Sequence, residues 1–405
     1  VPLAASQTDG APKPTVDGWS QLARDAPKPT VDGWSQLARD APNPNLGGWS
    51  QLTCDAASPI VGGWSQLARD AASGGVRPLQ LPPHGKGMQK ECNMGPAIAV
   101  VGNINLDVKT GPVPADPRLF RDGETSVAEI YEAIGGGGAN TAVAAAMLHG
   151  NVTLCGAVGD DALGARLQQF LARHGVTPRL AVKAAPTGRA IALNWEQHQR
   201  HFVSCLPSAA LLEADDVNIA ALAEAGCRHL YRADVWFAPR TLADGNLRWL
   251  SDARSRGMQT SIDINWDPHW HAGRDDPHVR RRIGAVTPLL PLLTYVHGNE
   301  RELRFFAGAA SLDHAAKWFF AHGAQTLIVH LGPDGSAALS AGGAAVHVPG
   351  GPVDRVVCEA GTGDVFTAAF LLRDGMEMRQ RLAECNAVAT AHLSGNACFL
   401  PRLDG

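Results

Sequence analysis

Ala97-Ile98-Ala99-Val100-Val101-Gly102-Asn103-Ile104-Asn105-Leu106-Asp107 marks a change of texture in this chain. Five apolar residues closed by a glycine read as a strand buried on both faces. From Ala97 onward, short apolar runs alternate with Ala- and Leu-rich helical stretches. Strands are predicted over 97–101, 152–156, 190–194, 228–232, 259–263, 294–297 and 326–330. Helices are predicted over 139–149, 161–174, 215–226, 241–256, 312–322, 364–374 and 378–394. This alternation indicates an α/β fold, a mostly parallel central sheet with helices on both faces. Ligands of such sheets bind beyond the carboxyl ends of the strands, so function is sought in the turns that follow them.

Upstream the chain is different. Residues 11–70 are a fifteen-residue tandem repeat marked by Trp19, Trp34, Trp49 and Trp64. Each unit offers one Trp, one Leu and few other aliphatics, broken by Pro and Gly, too little to bury a face against a neighbour. We expect residues 1–93 to be disordered repeat and linker, a duplicated stretch translated ahead of a working protein that begins near Met94. A tether or an array of Trp-anchored short motifs is the alternative, which would make the chain an adaptor.

The chain has 405 residues, 45% of them hydrophobic, and a net charge of −4. It has no basic block, which argues against nucleic-acid binding. No apolar run approaches a membrane span, and the first residues lack the charged start of a secretory signal. The eight cysteines include no Cys-x-x-Cys pair, so neither a zinc site nor a disulfide framework is expected and a cytoplasmic location fits. His269, His271 and His278 lack helical spacing and are not read as a metal site.

Three turns carry chemistry. Gly361-Thr362-Gly363-Asp364 precedes an apolar helix. A glycine turn opening a helix presents unpaired N–H groups to an anion, and Asp364 can take a proton from a hydroxyl near that anion. An anion hole beside a base suggests phosphoryl transfer to an alcohol, although an ordinary capped helix entry has the same sequence. Asn105 and Asp107 share a face if their segment is extended, and an amide with a carboxylate suits a polyhydroxylated ligand. Gly135-Gly136-Gly137-Gly138-Ala139-Asn140 opens another helix, where four glycines suggest close approach of a ligand or of another backbone.

With these motifs in place, the chain from about Ala97 to its end resembles the ribokinase-family (PfkB-type) carbohydrate kinases. The glycine cluster with Asn140 is similar to the family's first signature, and Asp122-Gly123-Glu124-Thr125 to a Gly-Glu-Thr stretch of ribokinases. Val152 to Gly164 resembles its second strand and following helix. Asn299-Glu300-Arg301-Glu302 fits its Asn-x-x-Glu motif, Leu331 to Gly335 a nucleotide-binding turn, and Cys358 to Asp364 its second signature. The resemblance implies a ribokinase-like fold with a small β lid drawn from about 105–134 and 186–206. It implies an ATP-dependent kinase with Asp364 as base and Gly361, Thr362 and Gly363 as anion hole. The substrate-binding residues would be Asn105, Asp107, Gly136, Gly137 and Asn140. Asn299, Gly332, Gly335 and Asn386 would bind nucleotide, and Glu302 would hold Mg²⁺ through water. The partners implied are a small sugar and ATP, and the lid of some relatives also forms a homodimer.

Departures from the family pattern bear on the substrate. Cys358 replaces the acid that helps hold a monovalent cation, which argues against K⁺ activation. Gly137 replaces a Lys that ribokinases place against the sugar, and His330 stands where a Thr often occurs. The acceptor expected is an unphosphorylated pentose or hexose. A nucleoside is the first alternative, because Trp195 and Phe202 in the lid could stack on a base. A non-catalytic sugar- or nucleotide-binding regulator is the second.

Overall fold

The computed structural model describes residues 97–403, apart from 115, 117, 118, 120, 197–199, 358 and 359. The expected disorder of residues 1–93 and the cation argument at Cys358 lie outside the described residues.

The strands are β1 (Ala97–Val101), β2 (Asn105–Thr110), β3 (Ile130–Gly135), β4 (Val152–Gly159), β5 (Thr177–Lys183), β6 (Gly188–Asn194), β7 (Arg200–Cys205), β8 (Cys227–Arg232), β9 (Gln259–Asp263), β10 (Tyr295–Asn299), β11 (Thr326–His330), β12 (Ser336–Ser340) and β13 (Ala345–Val348). The helices are α1 (Gly137–Met147), α2 (Ala162–Arg173), α3 (Pro207–Ala210), α4 (Ile219–Glu224), α5 (Asp244–Ser255), α6 (Pro277–Val286), α7 (Glu300–Ala307), α8 (Leu312–Ala321), α9 (Thr362–Leu371) and α10 (Met378–Leu393). Nine strands form the main sheet in the order β13-β12-β11-β10-β9-β8-β1-β4-β5. Its pairings are parallel from β5 to β11 and antiparallel at β12 and β13. The α/β fold read from the sequence is the one observed.

Strand β1 shows why the sheet is covered on both sides. Ala97, Ala99 and Val101 pack in one core with Leu222, Trp249, Ile283, Phe306 and Phe319 from α4 to α8. Ile98 and Val100 pack in the other with residues of α1, α2, α9 and α10. Helix α9 is buried from Val365 to Leu371, as expected of a helix apolar all round.

Four further strands form a second sheet, ordered β3-β2-β6-β7. Its register puts Asn105, Asp107 and Lys109 of β2 on one face with Ala190 and Ala192 of β6 and Phe202 of β7. Leu106 and Val108, on the other face, belong to the second core. Among the described residues, no helix is long and apolar enough to cross a membrane.

Candidate active site

The main sheet winds in both directions from β1: one way through β4 to β5, the other through β8 to β11. Chain leaving β1 and β8 therefore diverges and opens a crevice at their carboxyl ends. Asp234, just past β8 and in left-handed backbone (φ 55), spans this crevice. Its Oδ2 accepts from the amides of Asn103 (3.1 Å) and Gly138 (2.8 Å). The Asp234 amide donates to Asn265 Oδ1 (3.1 Å), and the Asn265 amide to Asp263 Oδ1 (3.1 Å). The turns after β1, β8 and β9 are thus tied into one unit.

The glycine cluster presses against that unit. A Cβ on Gly135 would stand 2.0 Å from Asp107 Oδ1, one on Gly136 2.4 Å from the Asn103 carbonyl oxygen, and one on Gly137 2.9 Å from Asp234 Oδ1. Gly138 meets Gly102 backbone to backbone, where a Cβ would lie 2.6 Å from Cα. Of the two causes expected for these glycines, close approach of the protein's own backbone and acids is visible in full. Gly136 also carries φ 91, which other residues rarely adopt.

On β2, Asn105 Nδ2 donates to Asp107 Oδ1 at 2.7 Å, and Lys109 Nζ lies 3.8 Å from Asp107 Oδ2. Burial pushes the Asp107 carboxyl up to about 6, against the pull of Lys109 and Asn105.

Asn140 on α1 reaches α9. Its Nδ2 donates to Asp364 Oδ2 at 2.9 Å, while its buried Oδ1 has no hydrogen-bond partner. Gly361 begins α9 in left-handed backbone (φ 83), and no side chain caps that end. The first helical bond runs from the Val365 amide to the Gly361 carbonyl, so the Gly363 amide precedes the helical ladder. Asp364 is partly exposed, yet surrounding protein holds its carboxyl well above the usual range. Desolvation is the largest cause; the Asn140 bond opposes it, and the charges of Asp234 and Asp263 add to it. The arrangement offers a carboxylate of raised basicity beside uncapped helix amides, with an unused amide oxygen next to it.

Asn299 and Glu302 form a reciprocal capping box at the start of α7. Asn299 Oδ1 accepts from the Glu302 amide and Glu302 Oε2 from the Asn299 amide, both at 2.9 Å. The Glu302 carboxyl is nevertheless raised, by burial first and then by the charge of Asp263. A cation would relieve the repulsion between these two carboxylates. Among the described residues, no group of three or more His, Cys, Asp or Glu could hold a metal alone. That donor set fits Mg²⁺ bound jointly with phosphate and water rather than in a protein cage.

Gly332 (φ 61) and Gly335 (φ 86) bound the turn from β11 to β12, and the space beside Gly332 is open. Asn386 departs from the nucleotide contact expected of it. Its Nδ2 donates to the Val348 and Pro349 carbonyls (3.0 and 3.1 Å), and its Oδ1 accepts from Ser336 Oγ (2.8 Å). It braces the end of β13, with both amide hydrogens occupied. His330, at the end of β11, stands beside the start of α9: its Nδ1 lies 3.6 Å from where a Cβ of Gly363 would be. Burial lowers its imidazole to about 4, so the ring is neutral. The Asp267 side chain is fully buried against Arg282 Nε at 2.5 Å.

Sequence reading missed Asp234, Asn103 and Lys109. Asp234 had a signal, since it follows a strand where function is sought. Lys109 had one too, at the same two-residue spacing that joins Asn105 to Asp107.

The chain matches the pfkB family carbohydrate kinase profile over residues 97–396. It is 25% identical to a ribokinase of Arabidopsis thaliana over 291 residues, 68% of this chain and 69% of that one. It is 25% identical to an aminoimidazole riboside kinase of Salmonella typhimurium over 240 residues, 58% of this chain and 72% of that one. The structure of Arabidopsis thaliana ribokinase complexed with ribose and ATP superposes with a TM-score of 0.60 at 22% identity, covering 77% of this chain and 97% of that one.

Proposed function

We propose, for a chain that belongs to the pfkB family of carbohydrate kinases, transfer of the γ-phosphoryl group of ATP to a hydroxyl of a small sugar. Membership makes the protein a phosphotransferase with a hydroxyl acceptor. Asp364 is read as the base, with the observation that carries the reading being its bond to Asn140 beside the uncapped start of α9.

A sugar hydroxyl holds its proton too tightly for a carboxylate to remove in the ground state. Asp364 acts as transfer proceeds, and position matters more than pKa. The Gly361–Gly363 turn places N–H groups and the positive end of the helix dipole where charge develops on the phosphoryl oxygens. Asn140 orients Asp364 through Nδ2 and offers Oδ1 to a substrate hydroxyl. Asn105 and Asp107 accept further hydroxyls, and their burial excludes water that would compete for the phosphoryl group.

Mg²⁺ would be held on the Asp263–Glu302 side, where it would neutralise phosphate charge. Asn299 and the Gly332–Gly335 turn face the nucleotide in this reading. The small sheet acts as the lid. Ile130, Ile191 and Val203 are 65%, 48% and 57% exposed on the lid face away from Asp107, an apolar patch that supports a homodimer through the lid.

A nucleoside acceptor is the second reading. Phe202, 41% exposed on the Asp107 face of the lid, is a surface on which a base could stack. The relative that acts on aminoimidazole riboside agrees with this alternative. An ATP-consumption screen over sugars, sugar phosphates and nucleosides, with Mg²⁺ and with or without K⁺, tests both. Turnover with a free pentose or hexose supports the first reading, and turnover with nucleosides alone replaces it by the second. No turnover with any acceptor leaves a binding regulator.

A further inference from the structure

Among the described residues, Lys109 is paired less closely than other well-covered cations. Arg282 meets Asp267 at 2.5 Å, and Lys183 meets Asp216 at 2.6 Å. Arg381 is satisfied by the Phe370 carbonyl at 2.7 and 2.9 Å and by Tyr295 Oη at 3.2 Å. Lys109 is 7% exposed, and its ammonium has one acceptor, Asp107 Oδ2, at 3.8 Å. That distance exceeds a hydrogen bond, and an ammonium has three hydrogens to place. A buried charge left so loosely coordinated is costly.

Its position shows where an acceptor would come from. Strand alternation sets Lys109 in line with Asn105 and Asp107, on the face of β2 turned away from the core. Paired beside it across the lid are Ala192 and then Phe202 on one side, small and apolar, and Tyr131 of β3 on the other. His392 of α10 also feels its charge, and burial disfavours the charged imidazole, so His392 brings no countercharge to Lys109.

We propose that Lys109 is a specificity-determining residue of the acceptor site, its ammonium taking an oxygen acceptor on the substrate. Asp107 only accepts once ionised, and Lys109 only donates. Held 3.8 Å apart, they read a hydroxyl next to an oxygen acceptor, either the ring or carbonyl oxygen of a neutral sugar or the carboxylate of a sugar acid. The inference rests on the sugar-kinase reading.

The test is calorimetric titration of D-ribose, D-fructose and D-gluconate into the full chain, with thermal unfolding and ATP turnover measured on the same samples. Lys109→Met should weaken binding of the sugar that the wild type takes by at least ~10-fold, while ATP binding and thermal stability are kept. Lys109→Arg should recover part of the loss. Loss confined to gluconate assigns the carboxylate, and loss with ribose or fructose assigns the neutral oxygen. The pH dependence of binding should also move upward in Lys109→Met, because Asp107 loses the charge that holds its carboxyl down. Equal affinity in wild type and Lys109→Met overturns the proposal, as does a wild type that binds none of the three. Lys109-dependent binding without turnover would keep this inference and sink the kinase reading. Turnover with an unchanged KM in Lys109→Met would do the reverse.

Discussion

Asn140 and Asp364 are 224 residues apart in the chain, and their side chains meet at 2.9 Å. Helix α1 carries one and helix α9 the other, so the two glycine-rich helix starts form one centre. The bond also lowers an Asp364 carboxyl that burial raises. Asn140→Ala should therefore raise KM for the sugar by ~10-fold or more and move the acid limb of the kcat/KM profile to higher pH. An unchanged acid limb would separate Asn140 from Asp364.

Asp107 illustrates a site kept at a cost to stability. Its carboxyl is raised from 3.8 to about 6 in the folded protein, so the folded state holds its proton more tightly than the unfolded one. Stability linked to this group is full at pH below about 4 and falls as pH rises to about 6, by on the order of 3 kcal/mol. Asp107→Asn should unfold at a higher temperature than wild type at pH 7.5 and lose that advantage near pH 4, while binding sugar poorly. A difference in Tm independent of pH would contradict this.

Gly136 couples backbone to site. With φ 91 and the Asn103 carbonyl 2.4 Å from any added Cβ, Gly136→Ala has no relaxed conformation. Denaturant unfolding should show a loss of ~2 kcal/mol or more, far above that of Ala at an exposed glycine. A loss below ~0.5 kcal/mol would show that the turn yields more easily than its contacts indicate.

Glu302→Gln separates the two roles of that residue. A glutamine can keep the capping box with Asn299, while the repulsion with Asp263 is removed. The variant should keep or gain thermal stability without metal and need at least ~10-fold more Mg²⁺ for half-maximal turnover. An unchanged Mg²⁺ requirement would place the ion elsewhere.

Much of the fold was legible because its strands are apolar on both faces. Strands β1 and β11 lie where the apolar runs 97–101 and 326–330 place them, and the more polar β9 also lies where it is expected, over 259–263. Helix α6 was missed because Arg280, Arg281 and Arg282 hide its apolar side, although Asp276 and Pro277 are a clear start signal. The meeting of Asn140 with Asp364 follows no local rule, and motif order alone pointed to it. Asp234 acts through amides 96 and 131 residues away, contacts that no spacing encodes. At Asn386, a position suggested by resemblance, the side chain is already bonded within the protein.

Asp364 is the proposed base at the centre of the site. Turnover of the best acceptor from the screen should fall in Asp364→Asn by at least ~10²-fold in kcat, with ATP still bound at wild-type affinity. Near-normal kcat in that variant would contradict the role given to Asp364 and, with it, the reading of the Asn140–Asp364 pair as the phosphoryl-transfer centre.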